Sequence, residues 1–92
     1  MEDRARAHIF VSGRVQGVFF RYSARSQAQK LGLTGFVRNL DDDRVEAVFE
    51  GEKEQIEKIL DWAKRGPVFA KISNLEIKRE EYIGEFKSFD IR

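Results

Sequence analysis

An α+β fold with the element order β-α-β-β-α-β is predicted from three observations. Apolar residues recur at every second position in several short segments, as in Ala7, Ile9 and Val11, which is the spacing of half-buried strands. Two other segments repeat at three and four, the spacing of an amphipathic helix. A strand precedes each helix and another follows it, so the chain reads as two crossover units that right-handed connection places in one sheet.

The first strand lies in ARAHIFVSG. Ala7, Ile9 and Val11 point one way there, and His8, Phe10 and Ser12 the other. A glycine-flanked loop, 13–20, follows. In RYSARSQAQKLG the residues Phe20, Ala24, Ala28 and Leu31 fall at intervals of four, four and three, and Gly32 supplies a left-handed stop. LTGFVRNL is a second strand, Asp41 to Asp43 form a turn, and RVEAVFEG is a third strand. The third strand sets Val45, Ala47 and Phe49 against Glu46, Val48 and Glu50, and the two strands make a hairpin.

EKEQIEKILDWAKRGP carries the stripe Ile56, Ile59, Leu60 and Ala63. Acids lead this helix, Lys64 and Arg65 close it and Gly66-Pro67 ends it, with the signs that a helix dipole favours. Trp62 stands off the stripe and covers the edge of the core. A fourth strand lies in FAKISNLEIKRE, where the phase slips between Ile72 and Leu75 and predicts a bulge near Ser73 and Asn74. EFKSFDIR can add a short fifth strand. No linker, repeat or low-complexity tract interrupts residues 1–92, so a single domain is expected. The plan is the split β-α-β, or ferredoxin-like, sandwich: an antiparallel sheet of four or five strands with both helices on one face. Many activities share that fold, so function has to be read from a site.

Composition narrows the possibilities. A chain of 92 residues holds one core and buries about 60–70% of the surface its unfolded form exposes. Hydrophobic residues, 41% of the total with eight Phe, suffice to fill it. Charged residues reach 36%, above the roughly 25% of an average domain. With no Cys and one Met, that fits a heat-adapted source. A net charge of +1 argues against general nucleic-acid binding, yet leaves room for a local anion site. Without Cys there is no disulfide, thiolate zinc site or thiol nucleophile. The leading MEDRARAHIF is charged and lacks the apolar run of a secretory signal. No stretch approaches the ~18 apolar residues of a membrane span, so a cytoplasmic location, with no membrane partner, is expected.

The chemistry gathers in GRVQGVFFR, Gly13 to Arg21. In the predicted architecture this loop enters the N-terminus of the first helix, where unpartnered N–H groups and the positive end of the dipole converge. Gly13 and Gly17 allow a tight turn and close approach to a ligand, and successive N–H groups can form an anion-binding nest. Arg21 adds a planar fork of donors suited to phosphate. A cation is out of place at a helix N-terminus, and a bound anion resolves the misfit. Taken alone, such a loop is more often structural, its Arg solvated or paired with an acid. Val18, Phe19 and Phe20 read as core and lid packing rather than ligand contacts. The stretch is neither a Walker A loop nor a dinucleotide-binding G-x-G-x-x-G.

GRVQGVFFR followed by GFVRN resembles the signature pair of the acylphosphatases, small hydrolases of the carboxyl-phosphate bond. The similarity extends over the opening strand, RVEAVFEG, WAKRGPVFAKI and FDIR. It implies that Arg21 binds phosphate, that Asn39 orients the attacking water, and that the amides of Val15, Gln16, Gly17, Val18, Phe19 and Phe20 form the phosphate cradle. It further implies an acyl phosphate substrate, inorganic phosphate as product, and neither metal nor cofactor. No nucleic-acid partner is implied, and a monomer is expected. The family usually has glycine in the turn after that asparagine, where this chain has Asp42-Asp43. Asp43 then has to accept the turn conformation, which Asp tolerates better than most residues.

An acyl phosphate makes the sparse chemistry of the chain sufficient. Its leaving carboxylate has a conjugate acid of pKa roughly 4 and departs without a general acid. The phosphoryl group passes through a loose transition state, so positioning and electrostatics carry the catalysis. Asn39 can accept from and donate to water, although in isolation it also reads as a turn-capping residue. His8 reads as a surface or packing histidine, and Asp41, Asp42 and Asp43 as a solvated turn. Two other functions compete with hydrolysis. One is a non-catalytic anion-binding module, such as a free-standing relative of the acylphosphatase-like domain of hydrogenase maturation proteins. The other is RNA binding, against which RVEAVFE counts because it lacks the glycine-aromatic pattern and carries two acids.

Overall fold

A computed structural model describes residues 3–92, so the first two residues of the expected 1–92 domain lie outside the described range. The elements are β1 (Arg4–Arg14), α1 (Phe20–Lys30), β2 (Thr34–Asn39), β3 (Val45–Glu52), α2 (Lys53–Ala63), β4 (Lys71–Glu80) and β5 (Phe89–Ile91). They form one five-stranded sheet in the order β4-β1-β3-β2-β5. Ala7, Ile9 and Val11 of β1 and Val45, Ala47 and Phe49 of β3 face the helices and are buried. Phe20, Ala24 and Ala28 of α1 meet them, as do Ile56, Ile59, Leu60 and Ala63 of α2. The period-two and helical stripes thus close on each other in one apolar layer. Trp62 covers its edge, its ring 5.2 Å from that of Phe20. Among the described residues no helix is long and apolar enough to cross a membrane.

Helix α1 stops as its sequence dictates. Gly32 is left-handed at φ 69°. Its N–H donates to Gln29 O at 3.1 Å, and that of Leu33 to Ala28 O at 2.8 Å, the paired bonds of a Schellman motif. The predicted bulge falls at Ser73: Ser12 pairs with Asn74 while Gly13 already pairs with Ile72. Gly13 is required there, because a Cβ would lie 2.2 Å from the carbonyl oxygen of Lys71.

The hairpin turn accepts aspartate where the resemblance leads one to expect glycine. Leu40 N–H donates to Arg44 O at 2.8 Å, and Asp43 N–H to Leu40 O at 3.3 Å. Asp43 is left-handed at φ 73°. Asp42 holds the return, accepting from the Arg44 N–H at 3.2 Å and from its Nε at 2.8 Å. Glycine meets no Cβ penalty in this conformation, although it frees the unfolded chain. Asp43→Gly is therefore expected to raise stability by about 0.5 kcal/mol, read from the urea midpoint, with hydrolysis unaltered.

The expected all-antiparallel sheet needs one correction: β5 pairs with β2 in parallel, so the sheet is mixed. The cause is the route of the chain. Beyond Glu80, residues 81–88 cross the face of the sheet opposite the helices, from the β4 edge to the β2 edge, and remain at one end of the strands. A strand that starts from that end runs opposite to β4, and β2 already does. Phe89 fixes the position by stacking on Phe49, with centroids 5.2 Å apart.

Glu50 pins this crossing segment. It is fully buried (0% exposed) on the face that alternation alone assigns to solvent. Its carboxylate accepts the N–H groups of Ile83 (2.9 Å), Gly84 (3.2 Å) and Glu85 (3.2 Å) and the Arg6 guanidinium (3.1 Å). Arg6 also binds Glu80 and Glu85. Burial acts to raise the Glu50 pKa, but the Ile83 N–H, the Arg6 guanidinium and the Gly84 N–H together outweigh it and hold the carboxyl below its ordinary value.

Candidate functional site

The chain passes from β1 to α1 through residues 15–19. Val15, Val18 and Phe20 send their side chains into the core, and this fixes the loop from beneath. Gly17 at φ 73° and Phe19 at φ 63° are both left-handed and turn the intervening backbone outward. Residues 16–19 form a turn, and among the described residues no short, well-aligned hydrogen bond engages the N–H groups of Gln16 to Phe20. The first helical bond comes later, from Ser23 N–H to Phe19 O at 3.0 Å, and no side chain caps the helix. The loop and the first turn therefore present a cluster of uncommitted donors at the positive end of α1.

The side chain of Gln16 latches this loop to the hairpin. Its Nε2 donates to Leu40 O at 2.8 Å and to Arg44 O at 3.0 Å, the two carbonyls that flank the aspartate turn. Sequence reasoning gave Gln16 a main-chain role only. The one hint was a long polar amide set between Val15 and the Gly17-Val18 pair.

Asn39 is the last residue of β2 and lies opposite Val45. It shares its face with Gly35 and Val37, and so stands on the helix side of the sheet, at the end where α1 begins. There it lines a cavity of about 170 Å³ together with Val15, Gly17, Phe19, Phe20, Arg21 and Tyr22. The fold thus brings Arg21 and Asn39, 18 positions apart in sequence, to one cavity. Of the other expected residues, Gln16 faces the hairpin and Val18 the core, and neither lines the cavity wall.

Two features of this cavity stand out chemically. Among the described residues, no carboxylate lies within ion-pair distance of Arg21 and the Asn39 side chain makes no hydrogen bond. Other arginines of the chain, Arg6, Arg38, Arg44 and Arg79, are each paired with an acid. An unpaired guanidinium beside a helix N-terminus and a row of open N–H groups makes a site of net positive potential, suited to a small polyanion.

Phe19 departs from its expected packing role. It is 71% exposed, because the left-handed backbone at this one residue turns its ring away from the core that Val18 and Phe20 enter. Tyr22, which sequence reasoning passed over, joins it on the wall. His8 lies on the opposite face of the sheet, its Nε2 2.6 Å from Glu46 Oε2, a packing role as expected. Asp41, Asp42 and Asp43 are exposed in their turn. Among the described residues, no three His, Asp or Glu side chains gather as a metal-holding group.

Comparison with known proteins bears on this geometry. A family model described as Acylphosphatase matches residues 7–91. An acylphosphatase of Pelotomaculum thermopropionicum is 51% identical over 89 residues, covering 97% of this chain and 97% of that protein. A solved acylphosphatase from Coxiella burnetii superposes with a TM-score of 0.92 at 39% identity, covering 98% of this chain and 94% of the other. The full-length HypF structure in its phosphate- and nucleotide-bound form also matches, at TM-score 0.84 and 29% identity. It covers 97% of this chain but the match spans only 12% of HypF.

Proposed function

The chain belongs to the acylphosphatase family of acyl phosphate hydrolases, and from that premise we propose that Arg21, the amides of Val15 to Phe20 and Asn39 perform the reaction without a metal. The observation that carries the reading is the shared cavity of Arg21 and Asn39, with both side chains uncommitted. The phosphoryl oxygens take the open N–H groups and the Arg21 fork. Charge that develops on those oxygens in a loose transition state meets donors already in place. Asn39 accepts one hydrogen bond from the attacking water and aims its oxygen at phosphorus. The new P–O bond forms as the bond to the acyl oxygen breaks. The carboxylate leaves with the electron pair of the broken bond, and the proton of the water passes to the phosphate product. No general acid is required, because the departing carboxylate is stable as an anion.

Asn39→Ala is expected to lower kcat on benzoyl phosphate by about 10² and to leave inhibition by inorganic phosphate within about twofold, since water is misdirected while the cradle stays intact. Weaker phosphate binding with an unchanged kcat would remove Asn39 from the water-orienting role. Treatment with a chelator such as EDTA is expected to leave kcat unchanged, and loss of activity restored by a divalent cation would overturn the metal-free reading.

The second reading, an anion-binding module without turnover, draws on the HypF resemblance, which a small part of that larger protein carries. The relative from Pelotomaculum thermopropionicum matches this chain end to end, which favours the free-standing hydrolase. A purified protein that binds phosphate and leaves benzoyl phosphate intact would favour the module instead.

A further inference from the structure

The geometry points to an acyl-recognition wall built from Phe19 and Tyr22, which gives the enzyme a preference for aromatic or bulky apolar acyl groups over acetyl. This inference rests on the reading of the cavity as the acyl phosphate site. Residues of two chemistries line the cavity. Arg21 and Asn39 bring polar side chains to its lining, and Phe19 and Tyr22, both more than half exposed, bring aromatic ones. A substrate whose phosphate sits among the donors must direct its acyl group outward, past these rings.

Phe19 is held there at a cost. Its φ of 63° and ψ of 24° are left-handed, a conformation unfavourable for a residue with a Cβ. Burial does not compensate, since the ring is 71% exposed. A glycine would take the same backbone without strain, and neither phosphate binding nor core packing uses the ring. A strained, exposed aromatic at the mouth of a site is accounted for by a ligand that covers it. Tyr22 follows three residues later on the same side of the helix start and is 55% exposed. The Arg25 guanidinium lies 5.5 Å from the centroid of its ring, a cation–π contact that steadies it. Two rigid aromatic faces recognise a planar or bulky apolar group, and a methyl group reaches little of either.

The test compares benzoyl phosphate with acetyl phosphate in wild type, Phe19→Gly and Tyr22→Ala, with inorganic phosphate as inhibitor of each. Phe69→Ala serves as control, because Phe69 is equally exposed at 69% but lies outside the cavity wall. Wild type is expected to prefer benzoyl phosphate in kcat/KM. Phe19→Gly and Tyr22→Ala are each expected to reduce that preference about tenfold, mainly through KM. In Tyr22→Ala, hydrolysis of acetyl phosphate and inhibition by phosphate should stay within about twofold, and Phe69→Ala should leave the preference unmoved. Phe19→Gly relieves backbone strain, so a folded protein is expected, and its phosphate inhibition reports that the cradle persists. The wall is refuted by an unchanged preference, by parallel losses on both substrates, or by an equal loss in Phe69→Ala. Arg21→Ala separates the two levels. If it hydrolyses both substrates normally, the site reading itself fails; if it is inactive while Phe19→Gly keeps the wild-type preference, only the wall fails.

Discussion

Arg21→Ala is expected to lower kcat on benzoyl phosphate by about 10³–10⁵, the range reported for a single phosphate-clamping guanidinium in phosphoryl transfer. The size follows from the division of labour in the cavity. Main-chain N–H groups carry only partial charges, and among the described residues Arg21 is the one ionised side chain on the cavity wall. Because no carboxylate of the described residues claims it, its full charge is available as the phosphoryl oxygens gain charge. The loss should fall on kcat and on phosphate inhibition together, unlike that of Asn39→Ala. Arg21→Lys restores the charge without the planar fork and should recover little of the rate. Wild-type turnover in Arg21→Ala would place the chemistry elsewhere.

Glu50→Ala should remove about 3–5 kcal/mol of stability, the usual cost of breaking a buried pair from one side. The substitution takes from the Arg6 guanidinium its one buried partner, leaving it Glu80 and Glu85, and leaves the N–H groups of Ile83, Gly84 and Glu85 without their acceptor. For a chain of this size that is much of the total, and urea unfolding measures it directly. The same carboxylate gives the fold an acid limit. Its pKa is lowered from the ordinary 4.5, so below that value the unfolded chain takes up the proton more readily than the folded one. The contribution is fully present above about pH 4.5 and is lost as pH falls through the lower folded value. Glu50→Gln should flatten the unfolding midpoint between pH 5 and pH 3 relative to wild type. An undiminished acid slope in that variant would assign the limit to other carboxylates. Glu46 is one such group: burial works to raise its pKa, and His8 and Arg38 lower it beyond that.

Local pattern revealed most of the architecture because it acts locally. The stripe Ile56, Ile59, Leu60 and Ala63 leaves α2 one face to bury, and Gly32 leaves α1 one way to end. The slipped phase around Ser73 announced a bulge because two-residue alternation cannot absorb an extra residue. The candidate site follows from a different source: Arg21 and Asn39 lie within motifs whose resemblance to the acylphosphatases implies their roles, and the fold brings both to one cavity. What remained hidden depends on contacts between distant segments. Glu50 has the alternation of a solvent-facing residue, and only the passage of residues 81–88 above it makes it a buried anchor. The latch from Gln16 to Leu40 and Arg44 spans 24 and 28 positions. Phe19 misled because its type says core while its backbone, a single left-handed residue, says surface.

The bulge at Ser73 also bears on how copies of this chain behave in a crowded solution. β4 is one border of the sheet, ten residues long, and long straight borders recruit strands from neighbouring molecules. The extra residue kinks this border and breaks its repeat, while Lys71, Glu76, Lys78, Arg79 and Glu80 add charge along it. The opposite border, β5, offers only three residues. Fibrous stacking thus finds no long, regular template on either side of the sheet.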